Sequence, residues 1–128
     1  MKTTKTILII DLEATCWEND RIPTGQKVDI IEIGICELNV TTKAISKKQS
    51  IYVIPERSKI NKFCTELTGI TPQLIEEKGI HFEEACEKIG MNIIHPHLLG
   101  QVSETLTKNR SWNNVIISVS KILFPKII

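Results

Sequence analysis

The chain has 128 residues, of which 41% are hydrophobic and 24% are charged, and its formal net charge is +1. A chain of this length forms one domain, and the composition is that of an ordinary globular protein. The near-neutral charge argues against nucleic-acid binding by bulk electrostatic attraction, although it permits binding through metal ions and a local basic rim. No membrane span or export signal is predicted, so an intracellular, cytoplasmic location is expected.

Three strands are predicted at the start of the chain. Residues 6–12 are predicted as a strand, and their aliphatic run at 7–10 is typical of a central strand buried on both faces. Residues 29–38 are rich in isoleucine and alternate imperfectly. Residues 50–55 are β-branched and end at a proline, which cannot donate to a sheet.

Helical patterns follow the strands. Asn61 is a predicted N-cap for KFCTEL, and Gly69 lies where that helix ends. Thr71 before Pro72 predicts a second helix over QLIEEK, closed by Gly79. FEEACEKI has apolar residues at helical spacing and predicts a third helix. Strands followed by helices favour an α/β protein with a mixed sheet.

The composition changes after residue 90. Fourteen of the fifteen acidic residues and twelve of the sixteen basic residues lie in residues 1–90, so the two parts carry about −2 and +3. Periodicity is weak in residues 91–128 except for NNVIISVSKILF at 113–124, which is a candidate strand. The chain is therefore divided into residues 1–90 and a divergent tail, 91–128.

Two acids follow the first apolar run. In a strand, residues two apart point to the same face, so Asp11 and Glu13 project together. Two carboxylates this close raise each other's pKa unless a cation lies between them. Mg²⁺ binds oxygen ligands and commonly uses one or two protein carboxylates. A solvated strand end would show the same D-x-E pattern, so the pair alone does not establish a metal site.

The acid pair lies in the first of three sequence motifs: DLEATCWE at residues 11–18, DIIEIGICEL at 29–38 and FCTELTGIT at 63–71. In order, spacing and wording they resemble the DEDDh family of 3′-to-5′ exonucleases, particularly its Eri-type RNA exonuclease branch. The resemblance covers residues 6 to about 90. It implies a ribonuclease H-like α/β fold, with a mixed sheet flanked by helices, that is incomplete at its C-terminal end. It also implies metal-dependent hydrolysis of phosphodiester bonds at RNA or DNA 3′ ends, with RNA favoured.

By this resemblance Asp11 and Glu13 correspond to the first two metal-binding acids, and they are the predicted catalytic residues. The implied cofactor is Mg²⁺ or Mn²⁺, with two ions in an intact family site. The implied partner is a nucleic acid 3′ end.

The resemblance also implies a set of substrate contacts near the terminal ribose and nucleotides: Ala14, Thr15, Glu32, Phe63, Leu67 and Thr68. Two of them have a structural alternative. Glu32 is equally a paired charge at a strand edge, and for Phe63 a core position is favoured over a base contact.

The later family motifs are missing. The family uses two further aspartates and a histidine general base, yet the last aspartate in this chain is Asp29. His95, His97 and Glu104 match no family motif, and RSWNN at 110–114 begins like one but departs at Asn113. A shifted reading frame, an alternative exon, a decayed gene and a genuine replacement of the tail remain open. So do three interpretations: an exonuclease, a catalytically inactive truncated relative that binds nucleic acid or a partner protein, or a truncated product without function.

Overall fold

A computed structural model describes residues 6–92. In chain order the elements are β1 (Thr6–Ala14), a short 3₁₀ turn (Glu18–Asp20), β2 (Ile30–Asn39), β3 (Ile45–Tyr52), α1 (Lys62–Thr68), α2 (Pro72–Lys78) and α3 (Phe82–Asn92). This is the predicted order of three strands followed by three helices. Among the described residues, no helix has the length and apolar character needed to cross a membrane. The strand predicted within residues 113–124 lies outside the described residues.

The three strands form one antiparallel sheet in the order β1-β2-β3. In the described part of the chain β1 is therefore an edge strand, and it does not have the central position predicted for it. Its burial alternates, since Ile10 and Leu12 are buried whereas Asp11 between them is exposed. Alternation of this kind gives β1 one face toward the core and one face that carries polar groups.

A β-bulge interrupts the pairing of β1 with β2. Glu13 pairs with Glu32 and Ala14 pairs with Ile30, so Ile31 has no partner in the register. Ile31 is fully buried, and it packs with a different group of side chains from Ile30. The bulge therefore places Ile31 on the opposite face of the sheet from Ile30, next to the end of β1 that carries the acids.

The observed β3 begins at Ile45, five residues before the predicted start. Its first six residues are exposed, and a second irregularity between Ser46 and Gln49 includes Lys47 in a left-handed conformation with φ of 50°. Exposed lysines and a bulge are common protection for an edge strand against pairing with other chains. Because this part of β3 buries little, it has no hydrophobic pattern from which the sequence predicts a strand.

Two apolar clusters lie on opposite faces of the sheet. The α3 cluster joins the sheet to α3 and consists of Ile10, Leu12, Ile30, Ile33, Ile35, Val53, Ala85 and Ile89. The α1–α2 cluster joins the other face to the shorter helices and consists of Ile31, Cys64, Ile70 and Ile75, with Cys16, Tyr52, Ile54, Ile60 and Leu74 packed against it. The sheet therefore has helices on both faces, as expected for an α/β protein.

The helix ends agree with the predicted caps. Asn61 and Thr71 each accept a hydrogen bond from the backbone N–H three residues further on. Gly69 ends α1 in the left-handed conformation, with φ of 77°. Gly79 ends α2 with an extended backbone, and glycine is needed there for space, because a Cβ atom would lie 2.5 Å from the Ile75 carbonyl oxygen.

Candidate functional site

The sheet brings three carboxylates to one face. Glu13 lies directly opposite Glu32 in the antiparallel register, and Asp11 lies opposite Gly34. Residues opposite each other on antiparallel strands share a face, as do residues two apart on one strand. Asp11, Glu13 and Glu32 therefore lie on the same face, opposite the α3 cluster. Gly34 adds no side chain beside Asp11, which leaves that carboxylate open to solvent or a ligand.

The three carboxylates of this face repel one another and any further anion. Burial raises the pKa of Glu13, and the neighbouring charges of Asp11 and Glu32 raise it further. Glu32 has a compensating partner, because its Oε1 atom accepts a hydrogen bond of 2.5 Å from the Ser50 hydroxyl. A cation on this face would relieve the repulsion, whereas a bare phosphate would increase it.

The raised pKa of Glu13 predicts that Glu13→Gln stabilises the metal-free protein at neutral pH. As the pH rises, the unfolded chain loses the Glu13 proton before the folded chain does. The stabilisation from protonated Glu13 is therefore fully present below its ordinary pKa and is lost as pH rises through the raised folded pKa. Urea unfolding at about pH 4 and about pH 8 measures the difference.

Glu18→Gln, which neutralises an exposed acid in the 3₁₀ turn, is the control for this experiment. We expect Mg²⁺ to stabilise the wild-type protein and to have a smaller effect on Glu13→Gln. A Glu13→Gln protein that is less stable than wild type at about pH 8 without divalent cation would contradict the unfavourable environment of this carboxylate.

The donor set of the carboxylate face is suitable for a hard divalent cation. Asp11 and Glu13 offer oxygen ligands, and Mg²⁺ commonly takes one or two carboxylates and keeps water in its other positions. Across residues 6–92 there is no cluster of three or more His, Cys, Asp or Glu side chains arranged to hold a metal ion. The described residues therefore fit one weakly held ion rather than a closed metal cage.

Beyond the carboxylates, β1 ends in a buried polar network. Thr15 is only 2% exposed, and its hydroxyl oxygen accepts a hydrogen bond of 2.9 Å from the Asp29 N–H. The same hydroxyl lies 2.8 Å from the Ser58 hydroxyl. Asp29 in turn accepts hydrogen bonds from the backbone N–H and the guanidinium of Arg57. The Thr15 hydroxyl is thus engaged within the protein, and its contact with a terminal ribose stays a prediction.

The polar network contains residues that sequence reasoning missed. Asp29 was assigned only to the start of a strand, and Arg57 and Ser58 were assigned no role. Their contacts join segments 28 or 29 residues apart, which no local pattern reveals.

Helix α1 packs against the end of β1. The Cys64 thiol donates to the Ala14 carbonyl oxygen over 3.7 Å, and the Asn61 side chain donates to the Cys16 carbonyl oxygen over 2.8 Å. Ala14 therefore contacts α1 through its backbone. The structure thus places α1, which contains the start of the third sequence motif, beside the strand that carries Asp11 and Glu13.

The three predicted contacts on α1 differ in their surroundings. Leu67 is 68% exposed, and Phe63, one turn earlier, is half-buried and belongs to neither apolar cluster of the described residues. Both assignments of Phe63, to a base contact and to the core, stay predictions. Thr68 donates its hydroxyl to the Cys64 carbonyl oxygen and accepts from the Ile70 N–H. Among the described residues Leu67 is thus exposed and Phe63 partly exposed, whereas the Thr68 hydroxyl is already bonded.

Cys16 and Cys64 are the two thiols of the α1–α2 cluster. Burial, a hydrogen bond to the Cys64 thiol and the charge of Glu13 raise the pKa of Cys16 to about 12. Cys16 is therefore a protonated thiol at neutral pH, and since the thiolate is the reactive form, it is not a nucleophile here.

The structure does not test the acids and histidines of the later part of the chain. His95, His97 and Glu104 lie outside the described residues, as does the departure from the family motif at Asn113. The described residues supply the first half of the expected site.

Comparison with known proteins decides the family. The RNase_T exonuclease model matches residues 8–112 of the chain. The chain belongs to this exonuclease family. The match extends past residue 90, where the sequence composition changes, and ends at Trp112, one residue before the departure at Asn113.

Similar proteins from animals are 3′-to-5′ exonucleases. The chain is 34% identical over 71 residues to the Drosophila melanogaster 3′-5′ exonuclease Snipper, covering 55% of this chain and 25% of that protein. It is 30% identical over 125 residues to the human 3′-5′ exoribonuclease 1, covering 93% of this chain and 35% of that protein. The chain therefore spans only about a quarter to a third of the length of these relatives.

Solved structures confirm the fold and the branch. A 3′-exonuclease structure that describes 3′-end-specific recognition of the histone mRNA stem-loop matches with a TM-score of 0.61 and 30% identity, over 81% of this chain and 42% of that one. The nuclease domain of 3′hExo, a DEDDh family member bound to rAMP, matches with a TM-score of 0.59 and 27% identity, over 86% of this chain and 49% of that one. The predicted DEDDh resemblance and ribonuclease H-like α/β fold are confirmed. This family implies the use of divalent metal ions.

Proposed function

We propose that this chain acts on RNA 3′ ends as a slow, metal-dependent 3′-to-5′ exonuclease, with Asp11 and Glu13 as its metal-binding carboxylates. The observation that carries the proposal is the shared face of these two acids beside Glu32, in an antiparallel register. The burial and charges that raise the pKa of Glu13 make this face favourable for a cation. Family membership supports the reaction, and the face supports the placement of its metal.

RNA is the favoured substrate over DNA. The human relative is an exoribonuclease, and one solved neighbour recognises an mRNA stem-loop. The net charge of +1 gives little general attraction for polyanions, so recognition depends on the carboxylate face with its cation and on local contacts.

Each part of the site has a separate task. Asp11 and Glu13 hold Mg²⁺ or Mn²⁺, which when bound supplies Lewis-acid stabilisation of charge at the scissile phosphate. The half-buried Phe63 and the exposed Leu67 contact the terminal bases, since an aromatic face stacks on any base. The backbone at Ala14 lies between these two surfaces, where the terminal ribose would sit. Hydrolysis then releases a nucleoside 5′-monophosphate and a strand shortened by one residue.

The reaction is slow because the chain lacks family groups. No aspartate follows Asp29 anywhere in the sequence, and Asp29 is bonded to Arg57 and Ser58 rather than facing the carboxylates. A positioned general base is typically worth about 10²–10⁴-fold in rate. A deficit of at least this size relative to a complete DEDDh enzyme is therefore expected.

The second candidate function is an inactive relative that binds RNA ends without cutting them. It is favoured by one observation, namely that the described residues offer no cluster of three metal-binding side chains. This candidate keeps the carboxylate face and the apolar surface of α1 but performs no hydrolysis.

One experiment distinguishes these functions. Single-stranded RNA labelled at its 5′ end, and DNA of the same sequence, are incubated with the purified chain and Mg²⁺ or Mn²⁺, with and without chelator. We expect a ladder that shortens from the 3′ end, is removed by chelator and forms faster on RNA. Chelator-sensitive binding without a ladder identifies the second candidate. Neither binding nor cleavage by a cooperatively folded protein overturns both.

A further inference from the structure

A single side chain joins the carboxylate strand to α1. The Asn61 Oδ1 atom accepts a hydrogen bond of 3.0 Å from the Cys64 N–H, in the first turn of α1. The Nδ2 atom of the same amide donates a hydrogen bond of 2.8 Å to the Cys16 carbonyl oxygen, three residues beyond Glu13. The two bonds use opposite ends of one planar amide, so they fix the amide's orientation as well as its distance from each partner.

This connection sets the spacing between two surfaces that the proposed function uses together. Asp11 and Glu13 lie on β1, and the half-buried Phe63 and the exposed Leu67 lie on α1. One other hydrogen bond found between α1 and this end of β1 is the long contact from the Cys64 thiol to the Ala14 carbonyl oxygen. Thiols are weak donors, so the Asn61 bond is the stronger of the two.

Only an asparagine-like side chain performs both tasks. Serine or aspartate at this position still caps α1, because each offers an oxygen to the Cys64 N–H. Serine is too short to reach the Cys16 carbonyl oxygen as well, and aspartate is an acceptor without a donor. The cap therefore does not require asparagine, whereas the bond to β1 does.

We propose that Asn61 is a positioning residue that fixes α1, with Phe63 and Leu67, at the correct distance from the carboxylate face for an RNA 3′ end to contact both. This inference rests on the proposed function. In this role Asn61 acts through the backbone of Cys16 and the first turn of α1.

The decisive variant is Asn61→Asp, which retains the cap and removes the donor. Thr71→Ala is the matched control, since Thr71 caps the neighbouring α2 through the Leu74 N–H. Binding is measured by anisotropy of a 5′-labelled RNA with phosphorothioate linkages, which resist hydrolysis, in Mn²⁺. Amide nitrogen–proton spectra of each variant report the backbone at residues 14–16 without any ligand.

We expect Asn61→Asp to weaken RNA binding about threefold to tenfold, which is the usual range for one lost neutral hydrogen bond. The amide signals of residues 14–16 shift in Asn61→Asp and not in Thr71→Ala, which retains wild-type affinity. A conservative Asn61→Ser variant caps α1 without the added charge, and we expect it to show the same loss.

Several results would overturn the positioning role. These are wild-type affinity in Asn61→Asp, unchanged signals at residues 14–16, or an equal loss in Thr71→Ala, which would reflect general destabilisation of the helices. Failure of the wild-type chain to bind RNA in a manner sensitive to Asp11→Asn would instead overturn the proposed function. That failure is distinguishable because it appears before any change at Asn61 is made.

Discussion

Asp11→Asn is expected to abolish metal-dependent shortening of RNA from its 3′ end, by about a hundredfold or more. Even changes to groups that only support metal ligands typically cost about 10–100-fold in metal affinity or activity. Asp11 is exposed on the carboxylate face, opposite Gly34, so the change removes a ligand without disturbing a packed contact. The measurement is the initial rate of ladder formation on 5′-labelled RNA at saturating Mg²⁺ or Mn²⁺.

Asp20→Asn is the matched control. It removes the same charge from an exposed position in the 3₁₀ turn, away from the β1–β2 register that forms the carboxylate face. We expect its rate to stay within about twofold of wild type, since surface charges alone contribute little. Equal losses in both variants would indicate a general charge effect, and an unchanged rate in Asp11→Asn would assign any activity to a contaminating nuclease.

Asp11→Asn also distinguishes the contribution of the metal to RNA binding from the contribution of the apolar surface of α1. If the two surfaces act independently, the variant keeps contact with the terminal bases through Phe63 and Leu67 and loses the chelator-sensitive part of binding. Residual RNA affinity that no longer responds to Mn²⁺ is therefore the expected signature, and it is measured in the same anisotropy experiment. The carboxylates would repel phosphate without a cation, which makes the loss of one negative charge partly favourable for this residual binding.

The parts of the fold that bury apolar surface were predictable from sequence. Strands β1 and β2 have aliphatic residues in strand-like runs, and the caps Asn61 and Thr71 mark helix starts that the structure reproduces. The first half of β3 was not predictable, because Ser46 through Ser50 are polar and exposed and leave no periodicity to detect.

The position of β1 shows a different limit. A continuous apolar run predicts burial on both faces, but in the described part of the chain Asp11 is exposed and β1 pairs on one side only. Sequence reasoning correctly placed Asp11 and Glu13 on one face, because that depends only on the strand period. It did not place Glu32 directly opposite Glu13, because the register depends on how the two strands pair.

The sequence indicated which residues lie near the candidate site but not which of their side chains are available for a ligand. Family resemblance implied substrate contacts for both Thr15 and Phe63, yet the Thr15 hydroxyl is bonded in an internal network whereas Phe63 lies outside both apolar clusters of the described residues. A motif records which residues are near a site. It does not record which of their atoms are already bonded within the protein, and that depends on contacts between segments distant in sequence.

Asp29→Asn is expected to lower the free energy of unfolding by about 2–3 kcal/mol. The Asp29 side chain is 11% exposed, and its oxygens accept from the Arg57 backbone N–H at 2.6 Å, the Arg57 Nε at 2.7 Å and the Ser58 hydroxyl at 3.2 Å. Hydrogen bonds to a charged group contribute about 1.5–3 kcal/mol each. An asparagine keeps one acceptor oxygen, and Arg57 is 57% exposed and regains solvation, so the total stays below the sum of the bonds. Urea unfolding followed by circular dichroism measures the change.

Two other aspartates serve as controls for this stability effect. Asp11 and Asp20 are both exposed, and their replacement by asparagine is expected to change the free energy of unfolding by less than about 0.5 kcal/mol. A loss confined to Asp29→Asn would show that the network formed with Thr15, Arg57 and Ser58 stabilises the fold. With typical domain stabilities of about 5–15 kcal/mol, the variant remains folded enough to assay.

The same variant tests whether Asp29 is a missing metal ligand. Asp29 is the last of the three aspartates in the sequence, which makes it a candidate to replace a later family acid. Its bonds to Arg57 and Ser58 direct its oxygens into the protein, so we expect Asp29→Asn to keep the metal dependence of RNA binding and to change stability alone. A variant with unchanged stability and a loss of Mn²⁺-dependent binding equal to that of Asp11→Asn would reverse the assignment and make Asp29 part of the metal site. The two aspartates thus have opposite expected effects, since Asp11 is the proposed ligand and makes no packed contact, whereas Asp29 is bonded within the fold and is not a proposed ligand.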